Sequence, residues 1–230
     1  MKIDIKQILH LFDEKAEDNE LKGHATSVVG FLGEDLNAAI FVHYGKSLGA
    51  EVKLLPDNVT TGRKKGPRLD RWIFWQKSKP ILYQSEIKNW SSWAIGSRPL
   101  LLTARDHEIA NAAKKDWERE LKEDYIGKKV YGKVSKVLLK MMVPEGFRNI
   151  KVEPLVIHWR VINPKGIEPF FRIPVRQLNI KFKTDFSMIN YFSVSLYLRR
   201  LLKKNKKYVD IEIPRVEERF KIVNNLLRKK

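Results

Sequence analysis

Two acidic side chains and a lysine lie within two predicted β-strands, in an arrangement that could support chemistry. Asp70 falls within a predicted strand over 68–76, and Glu86 and Lys88 fall within a second predicted strand over 80–90. Because side chains alternate along a strand, Glu86 and Lys88 project to the same face. Phosphodiester hydrolysis would explain such charges, since carboxylate oxygens hold a hard cation such as Mg²⁺ and an ammonium group stabilises charge that develops on the phosphate. The alternative is a solvated edge strand with a cross-strand charge pair.

A long helix is predicted before these strands, over 26–48, because apolar residues recur there at four-residue steps. Glu34 lies nearly opposite that apolar row, and its neighbours on the helix surface, Phe31 and Ala38, are apolar as well. We therefore expect the Glu34 carboxylate to be buried on more than one side. The alternative is a surface carboxylate on a helix whose apolar coat is incomplete.

Periodicity and turn residues predict the remaining elements and a single domain of mixed α/β order. These elements are a short amphipathic helix over 7–17, strands over 50–55, 129–143, 153–162 and 170–175, a helix over 103–124, and basic helices over 187–204 and 215–228. The core order is therefore helix, three strands, helix, strand. Along the chain we expect a leading helical segment in 1–24, a core over 25–165, and a basic, largely helical C-terminal extension over 166–230.

This order of elements and charges resembles the PD-(D/E)xK phosphodiesterase superfamily, which has the restriction-endonuclease-like fold. The family pattern places an acid in the second strand, the tripeptide acid-x-Lys in the third, and often a glutamate on the preceding helix. Asp70 matches the first acid, Glu-Ile-Lys at 86–88 matches the tripeptide, and Glu34 matches the helix glutamate. The similarity covers roughly 26–124 and departs at Leu69, where the family usually has a proline.

The resemblance implies a mixed central sheet flanked by helices and a nuclease that depends on Mg²⁺, for which Mn²⁺ can substitute. It further implies that Asp70 and Glu86 bind the metal ion, and that Ile87 offers it a backbone carbonyl. Glu34 would assist or position a second ion. Lys88 would contribute the ammonium group of the catalytic centre.

The chain is strongly basic, which points to a polyanionic partner. Lysine and arginine number 45 against 27 aspartates and glutamates, giving a formal net charge of +18. The residues that we expect to contact nucleic acid are Arg63, Lys64, Lys65, Arg68, Trp90, Arg199, Arg200, Lys203, Lys204, Lys206 and Lys207. The basic side chains would contact phosphates, and Trp90 would stack on a base. The two basic groups could instead be a solvated loop and a solvated helix face.

Some function classes are disfavoured by features that the sequence lacks. It has no cysteine, which excludes disulfides and thiolate metal sites and suits a reducing cytoplasm. Its 5 histidines share no zinc-binding spacing, and no glycine-rich phosphate-binding loop occurs. The apolar runs fall far short of the roughly 20 residues needed to span a bilayer. We therefore expect a water-soluble, cytoplasmic protein with no membrane partner.

Together these features predict a metal-dependent endonuclease that cuts DNA, of a restriction-type or defence-associated kind, and the resemblance implies a homodimer that cuts both strands. Two alternatives stay open at this point. One is a non-catalytic DNA-binding or assembly protein on the same fold, against which the intact Asp70, Glu86 and Lys88 argue. The other is an RNA-processing nuclease with the same basic surfaces.

Overall fold

The computed structural model describes residues 1–14, 33–56, 69–89, 99–121, 135–178, 180, 182–213, 218 and 221. Its strands are β1 (Lys2–Asp4), β2 (Glu51–Leu54), β3 (Arg71–Gln76), β4 (Pro80–Lys88), β5 (Lys151–His158), β6 (Phe170–Pro174), β7 (Met188–Ser193) and β8 (Tyr208–Asp210). Its α-helices are α1 (Ile5–Leu9), α2 (Asp35–Ser47), α3 (Asp106–Glu120) and α4 (Val194–Lys203). A π-helical turn, His10–Glu14, continues α1, and 3₁₀ turns span Ser135–Leu138 and Val175–Gln177.

Six strands form one mixed sheet in the order β2, β3, β4, β5, β7, β6. The first three strands pair antiparallel, and β4, β5 and β7 run parallel to one another. β6 closes the sheet antiparallel to β7, and β1 pairs with β8 in a separate two-stranded sheet. Because parallel strands end at the same edge of a sheet, Lys88, His158 and Ser193 mark one edge. The start of β3 lies at this edge as well, next to the end of β4.

Side-chain alternation along β4 divides the core into two layers, one on each face of the sheet. Tyr83 joins the layer that contains α2, in which its ring packs edge-on against that of Phe41 with centroids 6.0 Å apart. Leu82 joins the other layer, which contains Trp117 of α3. Glu86 follows Leu82 at even spacing, so it lies on the face of the second layer.

Glycine lets α2 lie close to the sheet. A Cβ atom at Gly45 would stand 2.5 Å from a ring carbon of Trp75, which is closer than non-bonded carbons approach. The helix ends soon afterwards at Ser47, and Gly49 has a φ of 76°, a left-handed conformation that glycine adopts without strain. The chain then reverses into β2, which packs against α2.

The predicted α/β class and mixed central sheet are confirmed, with the order α2, three strands, α3, β5 along the chain. One predicted element is wrong, and another is wrong in its first part. In the predicted strand over 129–143, the described residues form a 3₁₀ turn and irregular chain instead. In the predicted helix over 187–204, Met188–Ser193 is strand β7, and the helix is Val194–Lys203.

The predicted boundary at residue 165 between core and extension also needs correction. β6 and β7 lie beyond it, and both belong to the central sheet. A strand that is buried on both faces has a nearly continuous apolar pattern, which is hard to distinguish from a buried helix, and β7 with the sequence MINYFS is such a strand. The helical, basic part begins after β7. The predicted helix over 215–228 lies outside the described residues except at 218 and 221.

Candidate functional site

Strand pairing places Asp70 opposite Glu86. Arg71 of β3 pairs with Ser85 of β4, so the next pair toward the edge is Asp70 with Glu86. Asp70 donates its backbone N–H to the Ser85 carbonyl at 3.2 Å. Its Oδ2 atom accepts the backbone N–H of Ile87 at 2.7 Å. The first predicted carboxylate is therefore fixed against the strand that carries the second.

The side chain of Glu86 is buried in the middle of the sheet. The residue is 2% exposed, and β4 lies between β3 and β5, so it is not one of the two outer strands of the sheet. The Lys88 ammonium group forms an ion pair with Oε1 of Glu86. A buried carboxylate needs such a partner because desolvation of an unpaired charge is strongly unfavourable. The solvated edge strand considered from the sequence is therefore excluded.

A second lysine, which the sequence pattern did not reveal, joins the two carboxylates. Lys136 lies on the first 3₁₀ turn, and its Nζ atom is 3.2 Å from Oδ1 of Asp70 and in ion-pair contact with Oε2 of Glu86. The ammonium group therefore bridges the two side chains that were predicted to bind metal. With Lys88, two carboxylates and two ammonium groups meet at this edge of the sheet.

Gln84 explains how this second lysine reaches the site. Its side chain lies on the same face of β4 as that of Glu86, and its amide group donates to the backbone carbonyls of Val137 and Leu139, the latter at 2.9 Å. These bonds hold the 3₁₀ turn against β4 and so fix the backbone of Lys136. From the sequence, a glutamine two residues before Glu86 indicates that this face of β4 contacts other polar groups. It does not indicate which segment of the chain supplies them.

Glu34 lies near the site but is not buried as predicted. The residue is exposed to solvent, immediately before α2 begins, and Phe31, on which the prediction of burial depended, lies outside the described residues. Desolvation by the surrounding protein and the negative charge of Asp70 nevertheless raise the pKa of the Glu34 carboxyl group to about 7, against the opposing effects of Lys88 and Lys136. The charges of Asp70, Lys88 and Lys136 therefore act on the Glu34 carboxyl group.

The beginning of α2 is tied to the same two strands that carry the carboxylates. Asp35 forms an ion pair with Arg71 at the start of β3. Asn37 donates its side-chain amide to Oδ1 of Asn89 at 2.7 Å and to the backbone carbonyl of Lys88 at 3.4 Å. These contacts hold the N-terminal end of the helix beside the edge at which the charges meet.

The donor set suits a magnesium ion held by few protein ligands. Within the described part of the chain, no group of three or more histidine, cysteine, aspartate or glutamate side chains could hold a metal ion. Asp70 and Glu86 still supply hard carboxylate oxygens, and the buried Oε2 atom of Glu86 is in ion-pair contact with Lys136. Mg²⁺ typically keeps several waters and uses one or two carboxylates together with phosphate oxygens. The pair therefore fits Mg²⁺ or the similar Mn²⁺.

A further buried polar cluster lies beside the site. His158 of β5 pairs in register with Lys88, and its Nε2 atom is 3.3 Å from Oε1 of Glu120 on α3. Arg160 forms an ion pair with the other oxygen of Glu120. Burial lowers the pKa of His158, and the charges of Arg160 and Lys88 act in the same direction against Glu120. The imidazole is therefore neutral at pH 7.

The predicted nucleic-acid contacts divide into three groups. Residues 63–65, Arg68 and Trp90 lie outside the described residues. Arg199 is buried and donates to Oδ2 of Asp13 at 3.0 Å and to the Leu100 carbonyl at 2.8 Å. Its charge is thus neutralised inside the protein, and we withdraw it from the predicted nucleic-acid surface.

The third group of predicted contacts is exposed at the end of α4 and just after it. Its members are Arg200, Lys203, Lys204, Lys206 and Lys207. Two of them have acidic partners, since Arg200 contacts Glu168 at 2.6 Å and Lys203 forms an ion pair with Asp106. The Lys207 ammonium group lies 5.1 Å from the centroid of the Tyr208 ring. This group is accessible to a polyanion.

Comparisons with protein-family models, with curated proteins and with solved structures gave no match for this chain. Among the helices that the structure describes, none combines the length and the hydrophobicity needed to cross a bilayer. The function is therefore inferred from the geometry and chemistry of the chain's own residues.

Proposed function

We propose that the chain is a divalent-metal-dependent endonuclease that hydrolyses DNA phosphodiester bonds, of a restriction-type or defence-associated kind, on a restriction-endonuclease-like core. The observation that carries this proposal is the pairing of Asp70 with Glu86 at the end of a central strand, with the Lys88 ammonium group on the same face. Two hard carboxylates beside a lysine are the groups that metal-assisted phosphoryl chemistry requires.

Each residue of the site has a role in this proposal. Asp70 and Glu86 would hold the cation, which is Mg²⁺ with Mn²⁺ as a substitute, and Ile87 would add its backbone carbonyl. A bound ion of this kind stabilises charge on the phosphate and helps to ionise the attacking water. Lys88, which contacts Glu86 in the free protein, presents its ammonium group to the reacting phosphate. Glu34 would position a second ion or the attacking water from the exposed side of the site.

The proposed substrate is DNA because exposed basic residues follow α4 and the chain has a net charge of +18. Lys204, Lys206 and Lys207 would contact phosphates without reading sequence, as non-specific contacts of this kind do. We propose that two copies of the chain act together, so that each copy cuts one strand. We further propose that the protein acts in the cytoplasm.

A cleavage assay on several substrates tests this function. Purified protein is incubated with supercoiled plasmid, linear duplex DNA, single-stranded DNA and RNA, each with Mg²⁺, Mn²⁺, Ca²⁺ or EDTA. We expect nicked and linear plasmid with Mg²⁺ and Mn²⁺ and none with EDTA. Ca²⁺ should support little cleavage because its larger and looser coordination shell holds the phosphate in poor geometry. Cleavage of RNA alone would replace DNA by RNA as the substrate, and no cleavage of any substrate would contradict the proposal.

One observation favours a second candidate function, a DNA-binding or assembly protein without catalysis. Lys136 forms ion pairs with both Asp70 and Glu86, so the two carboxylates are compensated without a metal ion. In that case, DNA binding would not depend on Mg²⁺, and substitution of either carboxylate would leave the DNA affinity unchanged. Gel-shift titrations with and without EDTA distinguish the two functions.

A further inference from the structure

Two carboxylates that face each other inside a protein repel, and a cation between them allows both to stay charged. Lys136 supplies this cation, since its Nζ atom is 3.2 Å from Oδ1 of Asp70 and in ion-pair contact with Oε2 of Glu86. Lys88 is bonded to the other oxygen of Glu86, Oε1. Lys136 is thus the lysine that links the two carboxylates.

A divalent cation held by the same carboxylates would compete for this position. Mg²⁺ binds oxygen ligands at about 2.0–2.1 Å, so an ion held by both Asp70 and Glu86 would come within a few ångströms of the present Nζ position of Lys136. Two cations at such a separation repel strongly where water is partly excluded. The ammonium group and the metal ion therefore cannot both occupy the space between the carboxylates.

The side chain of Lys136 can leave this space without any change in the fold. Gln84 anchors the 3₁₀ turn through the carbonyls of Val137 and Leu139, so the backbone is held whether or not the ammonium group is in place. The side chain of Lys136 is 20% exposed, and its four-carbon stem is flexible. Rotation of the stem therefore carries the charge from the carboxylates toward solvent.

We propose that Lys136 is a built-in competitor of the divalent cation, which neutralises Asp70 and Glu86 in the free protein and must withdraw when the cation binds. This inference rests on the proposed metal-dependent function. The proposal explains how the Asp70 and Glu86 carboxylates keep a cationic partner without a metal ion. It also implies that the free protein binds the divalent cation weakly. Substitution of this one lysine should therefore strengthen cation binding, whereas substitution of a metal ligand weakens it.

The test measures the dissociation constants of Mg²⁺ and Mn²⁺ by calorimetry in the absence of DNA, for the wild type and three variants. Lys136→Met removes the charge and keeps the length of the side chain, and Lys136→Gln also keeps a hydrogen-bond donor in case the first variant folds poorly. Lys140→Met is the matched control, because Lys140 is exposed and follows in the same segment. Thermal unfolding of each variant is recorded with and without Mg²⁺.

We expect both Lys136 variants to bind Mg²⁺ at least about tenfold more tightly than the wild type, a change of about 1.4 kcal/mol in binding free energy. Their Tm should be lower than that of the wild type without the cation, and Mg²⁺ should raise it by more than in the wild type. Lys140→Met should behave as the wild type does. Unchanged or weaker Mg²⁺ binding in both Lys136 variants would overturn the proposal. Failure of both variants to fold in saturating Mg²⁺ would overturn it too, because the ion should replace the missing charge.

This test separates the inference from the proposed function. Tighter Mg²⁺ binding by the Lys136 variants, without cleavage of DNA or RNA by the wild type, would support the competition and refute the nuclease. Cleavage by the wild type without tighter Mg²⁺ binding by the variants would support the nuclease and refute the competition.

Discussion

Two clusters of buried charge in the described part of the chain are built differently. Asp13 and Arg199, one anion and one cation, are 4% and 5% exposed. Asp13 accepts hydrogen bonds from Arg199 at 3.0 Å and from the indole N–H of Trp159 at 3.3 Å. Arg199 also donates to the carbonyls of Leu100 and Leu101 at 2.8 and 2.9 Å. Here the charges balance, and backbone and neutral side chains complete the hydrogen bonding.

The group at the sheet edge has two anions, Asp70 and Glu86, and two flexible cations. The side chains of Lys88 and Lys136 are 17% and 20% exposed. Because the side chain of Lys136 is partly exposed, the proposed cation could replace its ammonium group between the two carboxylates. The difference teaches that burial of charge alone does not indicate function. The proposed exchange of Lys136 for a metal ion would distinguish the site at the end of β4. The pair of Asp13 and Arg199 instead links α4 to the π-helical turn that continues α1.

The largest effect that follows from this comparison is on stability. Arg199→Met should lower the free energy of unfolding by about 3–5 kcal/mol, because it leaves the Asp13 carboxylate buried without its cation. Arg200→Met is the control, since the contact of Arg200 with Glu168 is exposed and such pairs contribute about 0–1 kcal/mol. Urea unfolding measures both. Equal decreases in the two variants would show that the buried pair does not hold the fold together.

At the sheet edge, substitution should affect catalysis more than stability. Lys88→Ala leaves Asp70 and Glu86 in place, so Mg²⁺ should still bind, while the transition state loses one positive charge. The rate of cleavage should fall by roughly 10² to 10³ fold, or about 3–4 kcal/mol in the barrier. Plasmid nicking and calorimetry measured in parallel test this. Full cleavage by Lys88→Ala would remove Lys88 from the catalytic centre.

A smaller effect is expected from substitution of the exposed lysines after α4, which lie outside both clusters of buried charge. The double variant Lys204→Ala and Lys206→Ala should weaken binding to all DNA sequences alike and reduce the salt dependence, with the slope falling by about 0.9 for each phosphate that the protein no longer neutralises. The control is a second double variant, Lys77→Ala and Lys79→Ala, in the exposed turn between β3 and β4. Equal salt slopes for the two double variants would exclude the lysines after α4 from the interface.

The smallest effect concerns His158, the buried neighbour of the site. Its pKa is lowered by burial from an ordinary value of 6.5, so the unfolded chain binds more protons than the folded one below that pH. The resulting stability is present above about pH 6.5 and is lost as the pH falls toward the folded pKa. His158→Gln should therefore lose less stability between pH 7 and pH 5 than the wild type, by up to about 1.4 kcal/mol per pH unit. Parallel slopes in urea unfolding would contradict this.

The part of the fold that could be predicted from the sequence is the part with local signals. Turn residues separate β2, β3 and β4, and their side chains alternate, so the strands and the shared face of Glu86 and Lys88 followed from the pattern. β7 was predicted as helix because both of its faces are buried, and its run of apolar residues carries no alternation.

The rest of the site could not be predicted because its contacts join distant parts of the chain. Lys136 lies on a 3₁₀ turn that is far from Asp70 and Glu86 in the sequence, and no spacing rule links the lysine to the two carboxylates. Arg199 was assigned to the DNA surface because it stands in a basic run, and its buried partner, Asp13, is 186 positions away. Composition gives the number of charges but not which of them the fold neutralises.

The most direct test of the central claim compares two buried glutamates on neighbouring strands. Glu86 belongs to the proposed centre, whereas Glu153 of β5 is buried but accepts a hydrogen bond from Asn190 at 3.0 Å and contacts Lys151. The measurement is the rate of Mg²⁺-dependent plasmid cleavage by the wild type, Glu86→Gln and Glu153→Gln, with folding checked by circular dichroism. The account predicts that cleavage is lost in Glu86→Gln and retained in Glu153→Gln. Wild-type cleavage by Glu86→Gln, or no cleavage by the wild type itself, would contradict it.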